Sequence, residues 1–209
     1  MIRVRRYFFS QRFGVSPEAL YGSEFYDGDG FLKTRAAAES VARFIQSSLA
    51  PKDALDIGCG PGEYLRALSE LGIATIGCDG ASTGVRRAPP ASFVFVHDLR
   101  KPLVTNRKFD LVLCIEVAEH LPRSNAATLV ASICENSKDW ILFSAAPPEA
   151  PPGDDHINCQ PIEFWSAIFA THGFSLDANM SNRLREHSHA NDLPIWWKGW
   201  SYIYHRNAG

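Results

Sequence analysis

The chain has 209 residues, 45% hydrophobic, 21% charged and 11% aromatic, which supports a full apolar core and excludes a disordered polymer. With 21 Lys and Arg against 23 Asp and Glu, the formal charge is -2, so no whole-protein field gathers nucleic acid or anionic membrane. The sequence has no run of about 18 apolar residues, the length that spans a bilayer, and residues 1–11, with Arg3, Arg5 and Arg6 among aromatics, lack the continuous apolar segment of a secretory signal, so a cytoplasmic protein without a membrane partner is expected.

Residues 1–33 precede the first strong periodic pattern and read as an N-terminal lid or extension. Tyr21, Phe25 and Tyr26, with Arg35 just beyond, could close over a ligand or pack on the first helix. Over 34–49 apolar residues recur at helical spacing (Ala37, Val41, Phe44, Ile45, Leu49), and Pro51 stops the pattern. Residues 54–57 form a short apolar run ending in glycines, and 63–71 resume helical spacing until Gly72. Residues 73–78, 93–96 and 109–115 read as three more strands, 124–134 as a helix and 140–143 as a fifth strand. The segment AAPPEAPPGDD after Ser144 cannot continue helix or strand and reads as a loop rimming a site. Residues 161–172 restore a helix, 174–176 start another strand, 183–189 (RLREHSH) read as a solvated loop or an anion contact, and the aromatic tail 196–204 reads as a last, antiparallel strand. The alternation predicts an α/β fold: a Rossmann-like, seven-stranded, mostly parallel sheet with a reversed final strand and helices on both faces. Of the five cysteines, Cys59, Cys78, Cys114, Cys134 and Cys159, three lie in apolar stretches as small hydrophobes, and the absence of a CxxC pair disfavours a zinc cluster.

Asp56-Ile57-Gly58-Cys59-Gly60-Pro61-Gly62 falls where the first strand hands over to a helix, a place where glycines admit a ligand to the backbone. Alone it is a common turn. Two more carboxylates at strand ends raise its specificity: Asp79 after the second strand, able to accept both hydroxyls of a ribose, and Asp98 after the third. A dinucleotide would press its pyrophosphate on this turn, but Asp56 would repel phosphate and suits a ligand bearing ammonium and sulfonium charges. S-adenosylmethionine carries both.

Here the chain resembles the class I S-adenosylmethionine-dependent methyltransferases. LDIGCGPGEYL is similar to their first motif, the end of CDG to their ribose-binding acid, HDL to their adenine-proximal acid and FDLVLCIEVAEHL to their fourth-strand motif. The resemblance implies a methyltransferase domain over 34–209 with S-adenosylmethionine as cofactor. Gly58, Cys59, Gly60, Gly62 and Tyr64 would line its methionine part and Asp56 would orient its amino group. Asp79 and Gly80 would meet the ribose, Asp98 and Leu99 the adenine, and Ile115 and Glu116 the region beside the sulfonium.

Glu116-Val117-Ala118-Glu119-His120 puts two carboxylates and an imidazole just past the fourth strand, and a helical turn there would set Glu116 on one face with Glu119 and His120. Three readings stand: the acids cap the helix or touch cofactor while His120 walls the pocket; His120 or His156 is the general base for a hydroxyl acceptor; or Glu116, Glu119, His120 and His156 hold a magnesium or manganese ion that acidifies that hydroxyl. The third follows a resemblance to ubiquinone-pathway O-methyltransferases and small-RNA terminal 2'-O-methyltransferases, which pair an ExxEH string with a later histidine. The surroundings GDDHINCQPIEFW depart from those patterns, and Asp154 and Asp155 read as ligands or as solvated charges.

The acceptor pocket is expected from residues 146–160, Phe164 and Trp165, and the lid. Trp165, Trp196, Trp197 and Trp200 read as core and sheet packing. The expected function is methyl transfer to a small-molecule acceptor, on oxygen rather than nitrogen. The alternatives are a metal-dependent RNA 3'-terminal 2'-O-methyltransferase, with Arg3, Arg5, Arg6 and Arg12 as a phosphate patch, and a non-catalytic cofactor-binding partner subunit.

Overall fold

A computed structural model describes residues 29–88, 93–153 and 155–208; the lid aromatics Tyr21, Phe25 and Tyr26, the arginines at 3, 5, 6 and 12, and Asp154 lie outside them. Helix α1 spans Asp29–Ser48, followed by β1 (Asp53–Ile57), α2 (Glu63–Glu70), β2 (Ala74–Asp79), the short α3 (Ser82–Val85), β3 (Phe93–Val96) and β4 (Phe109–Ile115). Two 3-10 turns, Ala118–His120 and Arg123–Asn125, lead into α4 (Ala126–Asn136) and β5 (Ser137–Ser144). Then come α5 (Ile162–Thr171), β6 (Phe174–Leu176), α6 (Ala178–Ala190), α7 (Ile195–Gly199) and β7 (Ser201–Arg206). No helix among the described residues is long and apolar enough to cross a membrane.

The seven strands lie in the order β3-β2-β1-β4-β5-β7-β6. β1 pairs in parallel with β2 and β4, as do β2 with β3 and β4 with β5, while β7 runs antiparallel to both β5 and β6. The expected Rossmann-like sheet with one reversed last strand is thus present.

Strand alternation divides the core. In β4, Leu111, Leu113 and Ile115 face a cluster with Val41 and Ile45 of α1, Leu68 of α2, Leu184 of α6 and Trp197 of α7. Val112 and Cys114 face the opposite cluster with Leu129 and Ile133 of α4 and Trp165 and Phe169 of α5. Both faces of the central strands are therefore dry, which is why they read as continuous apolar runs. Parallel pairing brings the carboxyl ends of β1, β2 and β4 to one edge, and the turns that follow them share that edge.

Two local expectations are corrected, and one short helix is added. The segment 183–189 is not a loop but part of α6, started by Asp177, whose side chain accepts a hydrogen bond from Met180 N at 2.8 Å. Its buried face is built from Ser181, Leu184 and Ser188, with the serine hydroxyls satisfied on the carbonyls of Asp177 and Leu184 at 2.7 Å each. A hydrophobic count does not register such a face. The aromatic tail is split: Pro194 sets up the short helix α7, and the strand begins only at Ser201. α3 gave no periodic signal because it is a single turn.

Candidate functional site

The turn after β1 is held onto β2 by Gly58 N and Cys59 N, which both donate to Cys78 O at 2.8 and 3.0 Å. Gly58, Gly60 and Gly62 all have left-handed φ, at 83°, 51° and 79°, a conformation that glycine adopts without strain. At Gly58 there is a second constraint, since a Cβ would lie 2.3 Å from a methyl of Val117. Cys59 is buried against Gly77, and burial drives its thiol well above the ordinary range, so it serves as a small packing residue.

Asp56, at the end of β1, is 1% exposed. Its Oδ2 has no hydrogen-bond partner, and burial, followed by the charge of Asp79, pushes its pKa up to about 8. A buried carboxylate oxygen without a donor is costly until a cation or donor meets it. Asp79 is braced differently: Oδ2 accepts from Gly60 N and Oδ1 from Ala81 N, each at 2.8 Å, which fixes the carboxylate beside the turn. Gly80 follows it. Asp98 lies beyond β3 and is gripped by Arg100, through Nε at 2.8 Å and Nη2 at 3.0 Å, which holds its pKa below the usual carboxylate value. The sequence reading gave Asp98 no such partner. Leu99 beside it is buried.

Past β4, Ile115 is buried and Glu116 takes a left-handed φ of 55°. Its N–H donates to Ser144 Oγ at 3.0 Å, and its Oε1 accepts from Trp200 Nε1 at 3.0 Å. The 3-10 turn then buries Glu119 completely. Glu119 Oε1 accepts from Ala146 N at 3.2 Å, and Oε2 has no partner. Burial, then the charge of Glu116, raises the Glu119 pKa well above normal.

The rim loop is stapled onto this turn by Ile157 N and Asn158 N, both donating to Glu119 O at 2.8 and 2.9 Å. That staple brings His156 onto His120, with the rings edge to face at 4.8 Å between centroids. The backbone reversal needs Asp155 at φ 58° and no side chain at residue 153, where a Cβ would lie 2.3 Å from His156 Nε2. His120 Nδ1 sits 3.3 Å from Asp155 O, so Asp155 contributes its carbonyl rather than its carboxylate. Burial, and then the neighbouring His156, lowers the His120 pKa to about 4, which keeps this imidazole neutral near pH 7.

Glu119, His120 and His156 place one potential ligand atom each within 4.8 Å of one another. A buried carboxylate oxygen lacking a donor, next to a neutral imidazole and a second histidine, is a mixed oxygen and nitrogen set that fits a divalent cation. The expected fourth member, Glu116, is not part of that group: its φ is not helical and its Oε1 accepts from Trp200, while its carboxylate remains beside that of Glu119. Trp200 itself was missed, because a WWKGW string reads as packing and nothing local marks one indole as a donor.

A parallel sheet of this order, with a glycine turn after β1 and acids ending β1 and β2, defines the class I methyltransferase fold. A family model described as a methyltransferase domain matches residues 29–200, and the chain belongs to that family. The ubiquinone biosynthesis O-methyltransferase of Methylococcus capsulatus is 30% identical over 137 residues, 59% of this chain and 57% of that protein. Its counterpart from Chromobacterium violaceum is 29% identical over 108 residues, 47% of this chain and 46% of that protein. The chain therefore spans about half the length of the curated relatives it matches. Among solved structures, magnesium protoporphyrin IX methyltransferase (ChlM) from Synechocystis with bound SAH has a TM-score of 0.62 at 19% identity, covering 98% of both chains. The sugar N-methyltransferase KedS8 from Streptoalloteichus has a TM-score of 0.66 at 18% identity, covering 88% of this chain and 92% of that one. The likeness to these two is one of fold.

Proposed function

We propose that this chain is an S-adenosylmethionine-dependent methyltransferase acting on an oxygen of a small organic acceptor, with residues 34–209 as the catalytic domain and 1–33 as a lid. The observation that carries the reading is Asp56: a 1% exposed carboxylate, one oxygen unpartnered, directly before a glycine turn. Such a group suits an ammonium and repels a diphosphate.

In this reading Asp56 holds the amino group, and the backbone of Gly58, Cys59, Gly60 and Gly62, with Tyr64, lines the methionine part. Asp79 and Gly80 meet the ribose, Leu99 and Asp98 border the adenine, and Ile115 and Glu116 border the sulfur. When bound, the cofactor supplies an electrophilic methyl on a sulfonium. The protein then has to align the acceptor, exclude water and take up the hydroxyl proton. The trio Glu119, His120 and His156 sits beside that place. Acting alone, His156 or His120 would accept the proton. Holding magnesium or manganese, the trio would lower the acceptor's pKa instead, and the unpartnered Glu119 Oε2 favours this second form. The names of the ubiquinone-pathway relatives support oxygen as the atom attacked.

The test is transfer from methyl-labelled cofactor to a panel of phenols, catechols, sugars and amines, with short RNA as a further acceptor, in chelator and then with added manganese or magnesium. Transfer to hydroxyl acceptors that chelation abolishes and metal restores supports both parts. Full activity in excess chelator removes the metal, transfer to amines alone removes the oxygen assignment, and transfer to RNA alone removes the small acceptor.

A further inference from the structure

Three residues past His120, Arg123 opens the second 3-10 turn and is exposed. Its guanidinium carbon lies 5.0 Å from the ring centroid of Phe164 on α5. Other described arginines that lie on a ring are engaged elsewhere as well: Arg107 with the Asp53 carboxylate, Arg185 with Ser201 O, and Arg206 with the carbonyls of Lys138 and Ser137. Arg123 differs from them, because its N–H groups have no hydrogen-bond or ion-pair partner among the described residues.

The support beneath it is firm. Phe164 meets Trp165 edge to face at 5.0 Å, and Trp165, 1% exposed, packs on Phe143 of β5 at 5.3 Å. Just past the end of β5, Ala146 N holds the Glu119 carboxylate. A chain of packed rings therefore ties Arg123 to the strand end that positions the trio. A guanidinium laid on a ring keeps its charge and its in-plane N–H groups, the fork that matches a carboxylate. The stack also orders the long side chain in advance, which lowers the cost of binding. Any long side chain could serve for packing alone; the open fork is what packing leaves unexplained. Three residues cap the Cα separation of His120 and Arg123 at about 11 Å, so the trio and the fork can address two ends of one small molecule.

We propose that Arg123, seated on Phe164, binds a carboxylate of the acceptor, which makes the acceptor a planar hydroxy acid with its hydroxyl at the trio and its acid group at the rim. The proposal rests on the reading of this chain as a methyltransferase of hydroxyl acceptors. It is tested with caffeate, whose catechol and carboxylate lie at opposite ends of one conjugated plane, and with caffeic acid amide, which has the same shape without the charge. Methyl transfer is followed at varied acceptor concentration, and binding of each probe to the S-adenosylhomocysteine complex is read by calorimetry.

The wild type is expected to bind caffeate about fivefold or more tightly than the amide, the upper scale for an exposed but ordered charge pair. Arg123→Gln should remove that advantage, raising Kd and KM for caffeate while kcat and every value for the amide stay within twofold. Arg123→Lys should restore only part of it, since a point charge replaces the fork. Both variants change an exposed residue and are expected to fold. A wild type that treats the two probes alike overturns the proposal. Equal losses for both probes in Arg123→Gln also overturn it and make the arginine a strut between the turn and α5. Transfer to uncharged phenols with none to caffeate overturns it while the methyltransferase reading stands, whereas transfer to no hydroxyl acceptor at all removes that reading and the proposal with it.

Discussion

Binding of the cofactor should expel a proton from Asp56. The carboxyl is buried with a pKa of about 8, so in the free protein at pH 6.5 it is about 97% protonated. An ammonium placed against Oδ2 adds the opposite charge that the site lacks and returns the group toward its ordinary acidity, leaving it ionised. The incoming α-amino group, with an ordinary pKa near 7.8, is about 95% charged already and takes up only about 0.05 proton. The net release is therefore roughly 0.9 proton per site at pH 6.5. Calorimetric titration with S-adenosylhomocysteine in buffers of low and high ionisation enthalpy reads this number as a slope. Asp56→Asn should bring the slope to zero, and 5'-methylthioadenosine should show none with the wild type. A buffer-independent heat for the wild type would refute the placement of the ammonium on Asp56.

Because the folded pKa of Asp56 lies above its unfolded value, its contribution to stability is full below about pH 4 and is lost as the pH rises toward about 8; urea midpoints of Asp56→Asn should fall less than those of the wild type between those limits, and parallel curves would contradict this. Asp79→Ala should weaken S-adenosylhomocysteine by about 1 to 3 kcal/mol, since it removes a carboxylate already aimed by Gly60 and Ala81; unchanged affinity would remove the ribose assignment. Gly153→Ala should displace the His156 ring, 2.3 Å from the added carbon, and cost about tenfold in turnover while stability moves by less than about 0.5 kcal/mol, as befits an exposed residue. Turnover within twofold of wild type would mean that His156 does not act where it sits.

Much of this architecture was legible because buried parallel strands announce themselves as apolar runs. The limits of β3, β4 and β6 coincide with the runs at 93–96, 109–115 and 174–176. The acids at 56, 79 and 98 were legible because they end such runs. What escaped was of two kinds. α6 hides its inner face behind Ser181 and Ser188, whose hydroxyls are satisfied within the helix, and α7 is a helix written in aromatic residues that favour strands. The other kind is long-range: Trp200 reaches Glu116 across 84 positions of sequence, and Gly153 matters only because His156 folds back over it. Spacing rules assume one regular conformation; the left-handed residue at 116 departs from it and turns Oε1 to Trp200, yet the expected nearness of Glu116 to Glu119 is kept.

The reversed strand β7 has a consequence for how the molecule comes into being on the ribosome. Its first residue, Ser201, pairs with Ser144 of β5, and the tryptophans just ahead of it, Trp196, Trp197 and Trp200, are synthesised long after the glycine turn they adjoin. A nascent chain released only as far as residue 190 would hold five parallel strands, a bare margin on β5 and nothing for β6 to pair with. The glycine turn therefore gains its neighbours from α7 only after the five parallel strands have been synthesised.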